Sequence, residues 1–166
     1  MNILVSNDDG IHRQGIRELA AALSRIDGAK IYVFAPDRER TAAGHGITMR
    51  DSLFLREWSK EDYPGAERAY ACSGTPADCV KIGISLLRQQ DIEIDLVCSG
   101  INHGSNLGTD VFYSGTVAAA MEGRLMGVPA IAFSLCSHDS THFEVFAELV
   151  PQIVGKSLGK IPAGSI

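Results

Sequence analysis

The sequence predicts an α/β protein, a Rossmann-like three-layer sandwich built on a mostly parallel sheet. Two observations predict it. Short apolar runs alternate with segments of helical period along the chain, the pattern of a parallel sheet covered by helices on both faces. The unusual polar residues and the glycines gather directly after the predicted strands, where such folds place their ligands.

The elements follow in order. Asn2 to Ser6 (NILVS) is a short apolar run that breaks into polar residues and Gly10, hence a buried strand feeding a loop. Ile16, Leu19, Ala20 and Leu23 then recur at helical spacing, with Gly28 as the expected stop. Ile31 to Ala35 (IYVFA) is β-branched and aromatic and halts at Pro36, giving a second strand. Residues 42 to 68 are irregular and read as a loop or hairpin excursion. Ala69 to Ser73 is a further strand. Val80 to Leu87 is helical, entered through Pro76 in the first turn. Ile94 to Ser99 (IDLVCS) and Pro129 to Leu135 (PAIAFSL) are strands flanking an Ala-rich helix from Val117 to Met126. Phe143 to Leu158 has a helical pattern that Pro151 is expected to kink or interrupt.

The 166 residues read as one domain, 1–166. A chain of this length buries roughly 70% of its unfolded surface and needs no covalent staple. Its composition, 45% hydrophobic and 21% charged, is that of a globular protein rather than a disordered one. The net charge of −5 comes without any basic run, which argues against long nucleic acid as a partner. No segment approaches the ~20 apolar residues of a membrane-spanning helix. Cys72, Cys79, Cys98 and Cys136 form no CxxC pair; with no recognisable signal peptide, they read as reduced thiols of a cytoplasmic protein.

Three polar clusters carry chemistry. In Ser6-Asn7-Asp8-Asp9-Gly10, two adjacent carboxylates at a strand end repel each other and raise each other's pKa, a conflict that a divalent cation removes. Their alternative role is to cap the next helix. In the run from Pro36 to Gly46, Thr41 offers a hydroxyl and the glycines permit close backbone approach; the alternative is a solvated loop. In the third cluster, Asn102 and Asn106, and likewise Gly100, Gly104 and Gly108, recur at a spacing of four, and Ser114-Gly115-Thr116 opens the Ala-rich helix. Glycine-dense backbone and a helix start both suit an anion, although a turn that merely connects strand to helix would look similar. No Walker A or GxGxxG pattern is present. The candidate ligands are all oxygens, which favours Mg²⁺, Mn²⁺ or Ca²⁺ over zinc. His12, His45 and His103 lie near these clusters as candidate acids or bases, whereas His138 and His142 read as a solvated face.

The stretches ILVSNDDGI with Gly15-Ile16, APDRERTAAGHGIT, SGTPADCV, SGINHGSNLG and YSGTVAAAMEG together resemble the survival protein E (SurE) family of 5′-nucleotidases over residues 1 to about 135. The resemblance implies phosphatase activity on nucleoside 5′-monophosphates, one divalent cation per subunit (Mg²⁺ or Mn²⁺), a cytoplasmic setting, and a homodimer or homotetramer. Carried over by motif, the metal ligands are Asp8, Asp9, Thr41 and Asn102, with Asp8 and Asp9 also catalytic. Asn106, Ser114, Gly115 and Thr116 are the implied phosphate-holding groups. The family's usual residue at the Thr41 position is serine; threonine keeps the oxygen and adds a methyl. Family chains continue past the equivalent of Ile166 with further strands, an arm used in subunit exchange and residues at the mouth of the site. The carboxyl-terminal part of the family fold is therefore expected to be missing, with a sheet edge and an apolar patch beside the last strand left uncovered. On that reading, the isolated 166 residues self-associate and bind metal and phosphate better than they turn over substrate. The alternative function is a non-catalytic nucleotide- or metal-binding module. A metal-dependent glycosyltransferase would call for a DxD-like spacing that Asp8-Asp9 does not supply.

Overall fold

A computed structural model describes residues 1–137, 142–162 and 165–166. The chain runs β1 (Asn2–Ser6), α1 (Gln14–Leu23), β2 (Lys30–Pro36), β3 (Leu55–Glu57), β4 (Ala66–Cys72), α2 (Pro76–Arg88), β5 (Leu96–His103), α3 (Gly115–Leu125), β6 (Ala130–Leu135) and α4 (Phe146–Ser157). The six strands lie in the order β3-β4-β2-β1-β5-β6, all parallel except β3, which runs antiparallel to β4.

The apolar runs of β1 and β2 are continuous because helices cover both faces of the sheet. Ile3 and Val5 of β1 pack into one core with Leu19 of α1 and Val150 of α4. Leu4, between them, points through the other face into a second core with Val80 and Ile84 of α2 and Ala119 of α3. The three-layer sandwich expected from the sequence is present.

Local signals explain most boundaries. Thr75 caps α2: its hydroxyl accepts from the backbone of Asp78, whose carboxylate accepts from the Thr75 backbone in return, and Pro76 occupies the first turn. Ser114 caps α3 by accepting from the Val117 amide at 3.1 Å, so the helix begins two residues before the expected Val117. α1 ends at Leu23 with Ser24 as its cap, and Gly28 (φ +71°) serves the turn that follows rather than the helix end. α4 runs unbroken through Pro151 after a 3-10 turn over Phe143–Val145, so the expected interruption is absent. The irregular stretch contains β3, which pairs with β4 as a short hairpin arm.

β6 forms one edge of the sheet, and Phe112, Leu125 and Met121 expose 79%, 74% and 40% of their surface nearby. Among the described residues, no helix is long and apolar enough to cross a membrane. All four cysteines are free, three of them buried.

Candidate active site

β1 and its two neighbours set the site. The chain turns to β2 on one side of β1 and later to β5 on the other, so the loops that leave these strands face a common crevice. The turn after β1 is held by Asn7, whose side chain donates to the Gly10 carbonyl (3.1 Å) and accepts from the Gly10 amide (3.3 Å). Gly10 sits at φ +105°, and a Cβ there would lie 3.1 Å from the Arg38 backbone, so glycine serves both the turn and the close approach.

That turn delivers two carboxylates into different surroundings. Asp8 is buried against the first turn of α3. The Thr116 hydroxyl donates to its Oδ1 at 2.5 Å, and the nearby Gly115 and Thr116 amides favour its charged form. A Cβ on Gly115 would lie 2.6 Å from the Asp8 Cβ, so only glycine lets the helix start come this close. Burial pushes the Asp8 carboxyl above its ordinary value, and the hydrogen bonds of Thr116 and the amides oppose this. Asp9 is half-buried and is pushed up to about 6, by burial first and by the neighbouring Asp8 charge second; the His103 amide, 3.4 Å from Oδ2, works the other way.

The loop after β2 is tied down at several points. The Arg40 amide donates to the Asp8 carbonyl at 2.7 Å, and the Gly44 amide to the Tyr113 carbonyl at 3.0 Å. His45 Nε2 lies 2.9 Å from Glu122, a buried carboxylate on α3 that Lys81 also pairs at 2.8 Å. Farther on, the Thr48 hydroxyl donates to Asp78 at 2.6 Å. Thr41 itself is exposed, and its hydroxyl donates to Oε1 of Glu39 at 2.6 Å. The other Glu39 oxygen accepts from Arg13 at 2.8 Å.

From β5 come Asn102, whose side-chain amide donates to the Gly104 carbonyl (2.8 Å), and Asn106, which donates to Ser134 on β6 (2.8 Å). Asp8, Asp9, Thr41, Asn102, Asn106 and Ser114 line one cavity of about 400 Å³. Six of the eight residues singled out from the sequence are thus brought together. The other two, Gly115 and Thr116, are not among the residues that line it, and the Thr116 hydroxyl is engaged by Asp8.

Glu39 also lines this cavity, and sequence reasoning missed it. Its place between Arg38 and Arg40, two residues before a candidate ligand, was the available signal. An adjoining cleft of about 310 Å³ shares Asp9, Glu39 and His103 and adds Arg13, Gln14 and Phe143. Of the histidines, His103 lines both clefts and lies edge-on to Phe143, while His45 is held by Glu122. His142 is exposed and lies 2.7 Å from Glu144, and His138 lies outside the described residues.

The donor chemistry fits a hard divalent cation. Two adjacent carboxylates, both made costly to ionise by burial, face the same cavity as a hydroxyl and an amide oxygen. Among the described residues, no three His, Cys, Asp or Glu side chains gather into a metal-holding group, so the neutral oxygens of Thr41 and Asn102 would have to complete the set.

Comparison with known proteins bears on this geometry. The chain is 51% identical over 156 residues to the 5′-nucleotidase SurE of Synechococcus sp. (strain JA-3-3Ab), covering 94% of this chain and 59% of that protein. It is 52% identical over 157 residues to the 5′-nucleotidase SurE of Trichodesmium erythraeum (strain IMS101), covering 94% of this chain and 57% of that one. The crystal structure of the Sure protein from Aquifex aeolicus superposes with a TM-score of 0.84 at 40% identity, over 98% of this chain and 62% of that one. The chain therefore spans 57–60% of the length of such curated relatives. The family described as Survival protein SurE matches residues 3–164, and the chain belongs to that family.

Proposed function

We propose that this protein is a divalent-metal-dependent phosphatase that hydrolyses nucleoside 5′-monophosphates to nucleoside and inorganic phosphate, using one Mg²⁺ or Mn²⁺ per subunit. The observation that carries the proposal is the convergence of Asp8, Asp9, Thr41 and Asn102 on the cavity that Asn106 and Ser114 also line. The names of the relatives, 5′-nucleotidase SurE, supply the substrate class.

Asp8, Asp9, Thr41 and Asn102 would hold the cation, which when bound neutralises phosphate charge and polarises phosphorus. Asp8 is fixed by α3 and acts as the rigid ligand. Asp9 lines both clefts and is the carboxylate available to align a water for in-line attack. The Asn106 amide and the Ser114 hydroxyl, both at the cavity wall, would hold equatorial phosphate oxygens where charge develops.

The test is release of inorganic phosphate from a panel of nucleoside 5′-monophosphates with Mn²⁺, with Mg²⁺ and with chelator. Metal-dependent release that is lost in Asp8→Asn and Asp9→Asn is expected. Metal-dependent binding of nucleotide without release would instead support a non-catalytic binding module. The same reading makes the protein cytoplasmic and a homodimer or homotetramer. The exposed Phe112, Met121 and Leu125 supply an apolar surface for association, which light scattering would detect.

A further inference from the structure

We infer that Glu39 is a positioning residue for the cation site: it takes the single proton of the Thr41 hydroxyl and so leaves that oxygen with only lone pairs to offer. The inference rests on the proposed role of Thr41 as a metal ligand.

A hydroxyl can either donate or accept toward a given neighbour, and as a metal ligand it must accept. Its proton therefore needs another partner. Thr41 Oγ1 donates to Glu39 Oε1 at 2.6 Å, short enough to mark a charge-assisted bond. Arg13 donates to the other Glu39 oxygen at 2.8 Å, which favours this orientation of the carboxylate. Arg13 belongs to the turn after β1, where its amide donates to the Gly10 carbonyl at 3.1 Å. The relay thus joins the loop that carries the two aspartates to the loop that carries the threonine.

The alternative is an ordinary surface ion pair. Arg13 and Glu39 expose 52% and 49% of their side chains, so the pair is worth little to stability. A purely structural role would therefore leave almost nothing to measure. The position of Glu39 argues for more: it lines both clefts and joins the Thr41 hydroxyl on one oxygen to Arg13 on the other.

The test is calorimetric titration with Mn²⁺ alone on Glu39→Ala and Glu39→Gln, with thermal melting of each. Glutamine keeps an acceptor oxygen for Thr41 and loses only the charge. Glu39→Ala is expected to weaken Mn²⁺ on the order of 10-fold, at the lower end of the effect of removing a ligand's partner. Glu39→Gln should keep most of the affinity, and neither should shift melting appreciably. In a Thr41→Val background the difference between alanine and glutamine should vanish. An equal loss in Glu39→Ala and Glu39→Gln would mean that the charge alone matters and would overturn the inference. So would unchanged affinity in Glu39→Ala alongside weakened binding in Thr41→Val and Asp9→Asn, which leaves the metal reading standing. Absence of Mn²⁺ binding by the unmodified protein, or unchanged affinity in Asp9→Asn, would remove the metal reading itself and this inference with it.

Discussion

The hydroxyl of Thr116 donates to Oδ1 of Asp8 across 2.5 Å, fastening the first turn of α3 to the end of β1. Both groups are buried, so the bond sits where its loss cannot be made good by water. Thr116→Val keeps the shape and removes the donor. It should cost about 1–3 kcal/mol, read as a lowered melting temperature. The hydroxyl also holds the Asp8 carboxyl down, so its removal lets a proton compete better with metal. Mn²⁺ affinity should therefore fall more at mildly acidic than at alkaline pH.

Asp9 makes the metal-free protein pH-sensitive in a defined direction. Its carboxyl is pushed from 3.8 up to about 6 in the folded state. A raised value means a stabilising contribution that is complete below the unfolded value and is lost as pH rises through about 6. Asp9→Asn removes that dependence. Without metal the variant should melt higher than the parent at alkaline pH, and the advantage should shrink as pH falls below 6. Melting curves in chelator across that range check it; a variant less stable at every pH would contradict the assigned environment. The same variant should lose Mn²⁺ binding.

Thr41 should tolerate serine and not valine. Thr41→Ser keeps the oxygen that faces Glu39 and the cavity, and the position is exposed, so the missing methyl leaves no hole. Thr41→Val keeps the shape and loses the oxygen. Phosphate release and Mn²⁺ affinity are expected near the parent's for serine and well below it for valine. Equal behaviour of the two variants would exclude Thr41 as a ligand.

Glu122 should matter to the loop more than to the fold. It sits 77 residues from His45, which it holds at 2.9 Å, and it also pairs Lys81. Glu122→Leu releases His45 and Lys81, which can return to water, since their side chains are 25% and 53% exposed. Faster hydrogen exchange at Gly44 and His45, with a melting change smaller than the exchange effect, is the expected outcome. Unaltered exchange there would show that the Gly44–Tyr113 and Thr48–Asp78 bonds hold the loop by themselves.

The parts of this architecture legible in the sequence are those set by local chemistry. β1 and β2 announce themselves as apolar runs because both their faces are covered, and Pro76 marks the start of α2 because proline is favoured in a first turn. β3 was legible only as part of a loop or hairpin excursion without bounds, because its three residues, one half-buried and two exposed, carry no period of their own; their pairing is dictated by β4. Pro151 was expected to break α4, but Val150 and Val154, buried on either side of it, keep the helix on the sheet. The same division runs through the site. Asp8, Asp9, Asn102 and Asn106 stand out as dense polar residues after strands. The engagement of Thr116 by Asp8, and the ties of Glu39 to Arg13 and of His45 to Glu122, join residues far apart in the chain and have no local signature.

Because β1 stands between β2 and β5, the proposed ligand set is divided between two stretches of chain that meet only by folding. Asp8, Asp9 and Thr41 precede the connection between α2 and β5, and Asn102, Asn106 and Ser114 follow it. Cleavage within that connection would separate a carboxylate-bearing fragment from one that supplies neutral oxygens and amides. Within the sheet, the seam between them is the register Ile3–Leu96 to Ser6–Ser99, which ends beside the proposed cation site. A cation gripping both sides would act as a rivet across that seam, and the two fragments would recombine more tightly in its presence.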